Sequence, residues 1–286
     1  MSVRIIADSA CDLPSSFHSA LTVLPLTVAF GSDIYRDGVD ITTDRFYEML
    51  VEGDVLPTTS QVTPYEFGEA FRDAVEAGDE VVAVTVSGDL SGTYASALAA
   101  VEGMDTVHVV DSRNVTVGEH ILVRYALSLV DEGLDAAQIA ARLTERRDDI
   151  RVVALLDTLE YLRRGGRVPA AVGVIGEMLA IKPVVAVRAG LVEVIGRARG
   201  SKNGRNLLKK EIDECGAVDF RMPFCLGYSG LSDSLLRKYV EDQRELWEGK
   251  IDPEQIPVCH VGSTIGTHVG PGAIAAAFFT RPARQD

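Results

Sequence analysis

Residues 80–100 read EVVAVTVSGDLSGTYASALAA, and this stretch decides the fold. The run 80–86 is apolar and rich in valine without in/out alternation, which fits a strand buried on both faces of a parallel sheet. Ser87 to Gly92 then breaks the run with glycine and hydroxyls, and 93–102 continues with small apolar residues at helical spacing. A strand, a polar turn and a helix in this order form half of a βαβ unit. Ligands of such sheets gather outside the carboxyl ends of the strands, where a helix begins. The Ser91-Gly92-Thr93 corner therefore suits an anion, held by free amides, hydroxyls and the positive end of the helix dipole. An ordinary capping serine has the same local sequence.

Working outward, further strands are expected at 3–7, 22–29 and 106–110, with amphipathic helices at 43–52, 63–77, 117–132 and 136–147. Thr63 stands before Pro64 and three residues before Glu66, the pattern of a capping box with proline at the first helical position. After Asp149 the texture changes. A strand at 151–156 leads through a Gly/Arg turn to a helix at 170–180, then to a hairpin of 183–188 and 191–196 about Ala189-Gly190. Helices at 202–214 and 234–247 alternate with strands at 224–228 and 258–261, and a small-residue helix is expected at 272–279. The fold class expected is α/β in two domains. Residues 1–149 carry a parallel sheet with flanking helices, and residues 150–286 carry a mixed sheet with helices.

Over its 286 residues the chain has a formal net charge of −14, which argues against sequence-independent binding of nucleic acid. The charge is unevenly placed. Residues 1–150 hold 26 acidic and 9 basic side chains, and 151–286 hold 16 and 19. The first lysine is Lys182, so phosphate-loop, Schiff-base and kinase-lysine chemistry is excluded from everything before it. Within 163–210 eleven basic residues face only Glu177 and Glu193, which reads either as a docking face or as a solvated surface with salt bridges. The four cysteines show no metal spacing, the start of the chain has no signal-peptide pattern, and the longest apolar stretch is broken by Glu177, Lys182 and Pro183. A reducing, cytoplasmic setting is expected.

Two more segments combine polar groups with backbone freedom. Pro57-Thr58-Thr59-Ser60-Gln61 offers three hydroxyls and an amide before a helix, suited to a carboxylate or phosphate, or to a simple polar loop. The segment 262–272 surrounds His268 with glycine, serine and threonine, and is expected to be a mobile loop leading into the last helix. No Walker A, G-x-G-x-x-G, G-x-S-x-G or H-E-x-x-H pattern occurs, and no metal or cofactor is called for.

Taken in order, several segments resemble the DegV family of bacterial fatty-acid-binding proteins, the binding subunit of fatty acid kinase. They are Asp8-Ser9 with Asp12-Leu13, Thr59-Ser60-Gln61, Leu90-Ser91-Gly92-Thr93-Tyr94, Asp157-Thr158-Leu159-Glu160-Tyr161-Leu162 running to Gly165-Gly166-Arg167, Lys182-Pro183, and Gly266-Thr267-His268-Val269-Gly270-Pro271-Gly272. The resemblance implies a long-chain fatty acid held between two domains, with its carboxylate on Thr59, Ser91 and His268. Ser60, Gly92, Thr93 and Thr267 would stand behind them. It further implies that the chain does no chemistry alone: a separate ATP-dependent kinase subunit would convert the carboxylate to an acyl phosphate for phospholipid synthesis. Val172, Ile175, Met178, Leu179 and Ile181 are the expected tail wall, with ordinary core as the other reading. Arg167, Arg197 and Lys202 are the expected face toward the kinase or an anionic membrane.

A rival from a different class is a serine hydrolase acting on acyl esters, since Ser91, Asp157 and His268 stand in the order of an α/β-hydrolase triad. Ser91 lacks the nucleophile-elbow sequence. A dinucleotide-dependent oxidoreductase is weaker again, because the glycine fingerprint is missing.

Overall fold

The computed structural model describes residues 2–168, 181–215 and 218–280. The expected helix at 170–180 lies outside them. The first sheet is parallel, in the order β2-β1-β6-β7, built from β1 (Val3–Asp8), β2 (Leu21–Leu24), β6 (Glu80–Thr85) and β7 (Val107–Asp111). Its central strands are buried on both faces, which is why they read as unbroken apolar runs. A small antiparallel sheet, β4-β3-β5, joins β3 (Thr27–Phe30), β4 (Asp33–Arg36) and β5 (Thr58–Ser60). A six-stranded mixed sheet, β10-β9-β8-β13-β11-β12, contains β8 (Ile150–Leu155), β9 (Ile181–Arg188), β10 (Leu191–Arg199), β11 (Phe224–Tyr228), β12 (Val258–His260) and β13 (Ile274–Phe279). All its pairs are antiparallel except β11 with β12.

The helices are α1 (Thr43–Glu52), α2 (Pro64–Glu76), α3 (Thr93–Ala100), α4 (Val117–Asp131), α5 (Ala136–Arg146), α6 (Glu160–Arg164), α7 (Gly200–Glu214), α8 (Ser234–Asp242), α9 (Arg244–Trp247) and α10 (Ser263–Val269). The capping box of α2 forms as expected, with Glu66 N donating to Thr63 Oγ1 and Thr63 N donating to Glu66 Oε2. Helix α4 is the central element. Val117, Ile121, Leu122, Val123, Ala126 and Leu127 are buried in one cluster that also takes in Ile5 and Val82 of the parallel sheet and Cys225, Ala275 and Ala277 of the mixed sheet.

The structure corrects four expectations. The single strand at 22–29 is two strands in different sheets, because Pro25 offers no N–H and Leu26 instead donates its amide to Ser9 Oγ at 3.0 Å. The helix expected at 272–279 is β13, buried throughout and paired on both sides. Its alanines have helical propensity, but a central strand between two packed layers needs small side chains, and packing overrides propensity. The loop expected around His268 is α10. The helix at 234–247 breaks at Gln243, whose φ of −114° and ψ of 33° are not helical. The Ala189-Gly190 hairpin forms, both residues taking positive φ.

Candidate functional site

Helix α10 is a helix because its poorly helical sequence, Ser-Thr-Ile-Gly-Thr-His-Val, is anchored at the start. Asp12 Oδ1 accepts from Gly262 N at 2.8 Å, and Asp37 accepts from Ser263 N at 3.2 Å, Thr264 N at 3.3 Å and the Ser263 hydroxyl. Side-chain oxygens at an N-terminus satisfy its free amides. Gly266 faces Phe46 and Tyr47, where an added Cβ would lie 2.6 Å from the Phe46 ring. These contacts carry His268, near the helix end, over β5. Its Nε2 lies 2.9 Å from Thr59 Oγ1.

Two glycines let α6 approach α10. A Cβ on Gly165 would collide with His268 Nδ1, and one on Gly270 would collide with the Tyr161 ring. Arg167, just after that turn, donates from Nε to Leu90 O at 3.2 Å and from Nη1 to Gly165 O at 2.5 Å, tying α6 to the loop before Ser91. Burial, then the nearby Arg167 guanidinium, pushes the His268 pKa down to about 4. His268 is thus neutral near pH 7, and its buried Nδ1 has no partner among the described residues.

Ser91 stands at the entry to α3, its Oγ 2.9 Å from Thr93 Oγ1 and accepting from Thr93 N at 3.2 Å. Gly92 leaves room for Gln61, whose Nε2 donates to Ser96 Oγ at 2.7 Å; a Cβ on Gly92 would collide with the Gln61 amide. The Thr59-Ser60-Gln61 triplet therefore splits by strand alternation. Thr59 faces His268, Gln61 locks the α3 corner, and Ser60 is exposed.

Thr59, Ser91, Arg167 and His268 together line one end of a cavity of about 940 Å³ of atom-free space, partly open to solvent. Thr116 and Thr264 add two more hydroxyl residues, the Thr264 hydroxyl buried without a partner among the described residues, and the rest of the wall is apolar. That apolar wall comes from both halves of the chain: Ala10, Leu26 and Val86 on one side, Val152, Ala154, Val185, Val187 and Ala275 on the other. Thr59, Arg167 and His268 also line an outer vestibule with Tyr161, Arg164, Gly165 and Thr267. An apolar chamber closed by two hydroxyls, a neutral imidazole and one guanidinium suits an amphiphile with a long tail and a small acidic head.

Other expected residues fall as follows. Thr93 and Thr267 are buried, Thr267 donating to Ser263 O at 2.9 Å. Val172, Ile175, Met178 and Leu179 lie outside the described residues, and Ile181, at the start of β9, does not line the cavity. The wall is built instead from β8, β9 and β13, which the sequence could show only as buried strands. Arg197 and Lys202 are exposed, whereas Arg167 is drawn into the cavity mouth. The hydrolase triad is not assembled. Asp157 pairs with Lys182, Ser91 with Thr93 and His268 with Thr59, with no hydrogen bond linking the three among the described residues. The described residues hold no cluster of His, Cys, Asp and Glu fit for a metal, and no helix among them is long and apolar enough to cross a membrane.

The class these features define is an α/β protein with a buried apolar chamber under a polar mouth. A family model described as "Uncharacterised protein, DegV family" matches residues 2–281, and the chain belongs to the DegV family. A DegV domain-containing protein from Deinococcus radiodurans is 34% identical over 285 residues, covering 97% of this chain and 98% of that one. A DegV family protein from Thermus thermophilus, whose structure is described as one of fatty acid binding, superposes with a TM-score of 0.86 at 31% identity, covering 98% of this chain and 100% of that one. The Fatty Acid Kinase (Fak) B3 protein of Streptococcus pneumoniae, loaded with linoleic acid, superposes at 0.85 with 22% identity over 98% and 100% of the two chains. That last likeness is one of fold.

Proposed function

We propose that this protein is a carrier that encloses a long-chain fatty acid between residues 1–149 and 150–286 and presents its carboxyl group to a separate ATP-dependent kinase. The observation that carries the reading is a chamber whose apolar body ends at Thr59, Ser91, Arg167 and His268. The fatty acid binding described for the Thermus relative supports it. Thr59 and Ser91 donate to the carboxylate, and Arg167 supplies the positive charge that a neutral His268 does not. Each methylene buried in the tail contributes about 0.8 kcal/mol, so the chain supplies most of the affinity and the mouth supplies direction.

The vestibule with Arg164 and Arg167 is where a phosphoryl group would reach the head. Arg197 and Lys202, exposed on β10 and α7, belong to the proposed kinase or membrane face. No nucleotide motif lies in this chain, in keeping with a partner that carries ATP. The proposed setting is the bacterial cytoplasm, with no cofactor beyond the lipid. Denaturing extraction of the purified protein followed by mass spectrometry tests the reading. A stoichiometric fatty acid is expected; a protein that releases none and binds none when offered stearate overturns it.

A further inference from the structure

The six-stranded sheet has a second face. Along β11 and β13, Cys225, Ala275 and Ala277 pack in the cluster with α4, Gly227 and Ala275 line the inner chamber, and Phe224, Leu226, Ala276 and Phe278 turn into the opposite cluster with α7 and α8. On that outer side lies another cavity, of about 1020 Å³ of atom-free space partly open to solvent. It shares no lining residue with the lipid chamber.

Its walls are aromatic. Phe224 and Trp247 stack at 6.3 Å between centroids, and Phe220 meets both rings edge-on at 5.4 and 6.4 Å. Ala276, on β13, contributes little bulk to the wall beside them. Lys250, exposed, holds its ammonium 5.4 Å from the Phe220 centroid. The opposite charge at the rim, Asp213, is already paired with Lys209 at 2.8 Å. One lining residue, Trp247, has a buried donor, Nε1, with no acceptor among the described residues. Orphan donors of this kind are uncommon in a finished core.

We propose that this outer cavity is a second ligand site, for a compact aromatic carboxylate. The ring would lie among Phe220, Phe224 and Trp247, and the carboxylate would meet Lys250. An acceptor oxygen against the Trp247 wall would satisfy the indole N–H. The site is separate from the fatty acid reading and does not depend on it.

Trp247 is the only tryptophan in the chain, so its fluorescence reports this cavity directly. The full-length protein is titrated with phenylacetate, once loaded with stearate and once stripped of lipid. A saturable change with the same midpoint in both arms is expected. Lys250→Ala, at an exposed rim position, is expected to weaken phenylacetate about fivefold and to leave the affinity for neutral benzyl alcohol unchanged. A second variant, Ala276→Leu, fills the wall from the sheet side and removes the response while stearate still binds. No saturable change up to about 10 mM phenylacetate overturns the proposal. A response lost on stearate loading, or one indifferent to Lys250→Ala, overturns it equally. The lipid-stripped arm reads the outer cavity whatever the inner one holds, so failure here and failure of the fatty acid reading are distinguishable.

Discussion

The mouth and the body of the apolar chamber are built by opposite means. The mouth gathers Thr59, Ser91, Arg167 and His268 from a three-residue strand, a helix entry, a turn and a short helix, each placed by glycines or by a side-chain hydrogen bond. The body is a surface of strands, where Val152, Ala154, Val185, Val187 and Ala275 owe their place to register alone. The polar mouth is thus written in short local motifs, and the apolar body in pairing between distant strands.

If that contrast holds, a change of volume in the body should cost most. Ala275→Phe places a ring into the chamber from a central strand, and stearate binding should fall below detection, with circular dichroism confirming that the fold survives. Shorter insertions sharpen the point: Ala154→Leu should shift preference toward shorter acyl chains, read from the chain lengths extracted by mass spectrometry. Next comes the mouth. Thr59→Ala combined with Ser91→Ala should weaken stearate by about 3 kcal/mol, because a desolvated carboxylate loses two donors. An unchanged dissociation constant would show that Arg167 alone carries the head. Gly165→Ala should cost about tenfold in affinity, since the new methyl displaces the His268 ring that Thr59 contacts.

The smallest expected effect is in pH dependence. Burial, reinforced by mutual repulsion with Asp37, pushes Asp8 up to about 7 and Asp12 up to about 8. Their contribution is complete below the ordinary carboxylate range and is lost as pH rises through those values. His120 and His268, pushed down to about 4 mainly by burial, have the opposite sign: they cost stability as pH falls below the ordinary histidine value of about 6.5. Glu119, fully buried and held well above the usual carboxylate range first by burial and then by Asp8 and Asp12, acts in the same direction as the aspartates, so above about pH 6.5 the buried carboxyls set the trend. The melting temperature should therefore fall as pH rises from about 6.5 to about 8.5. A rise over that upper interval would show that these carboxylates are ionised in the fold.

The same contrast explains what the sequence revealed. The βαβ half, the Ala189-Gly190 hairpin and the mouth residues Thr59, Ser91 and His268 were legible because each carries a local signature. The chamber wall was not, since nothing in the run Ile-Ala-Ala-Ala-Phe-Phe distinguishes a helix from the central strand β13 without its partners. The α10 helix was equally hidden. Its stabilising groups, Asp12 and Asp37, lie more than two hundred residues earlier. Arg167 shows the reverse case: a basic run read as surface sends one member inward because Leu90 and Gly165 offer it carbonyls.

The lysine-free character of residues 1–181 has a chemical consequence. An acyl phosphate is a mixed anhydride, and it acylates amines far more readily than guanidinium groups or hydrogen-bonded hydroxyls. Among the described residues neither the chamber nor its vestibule is lined by a lysine, and the cationic side chains there are those of Arg164 and Arg167. If the carboxylate is converted to an acyl phosphate as proposed, a mouth of this composition would spare the protein from labelling itself.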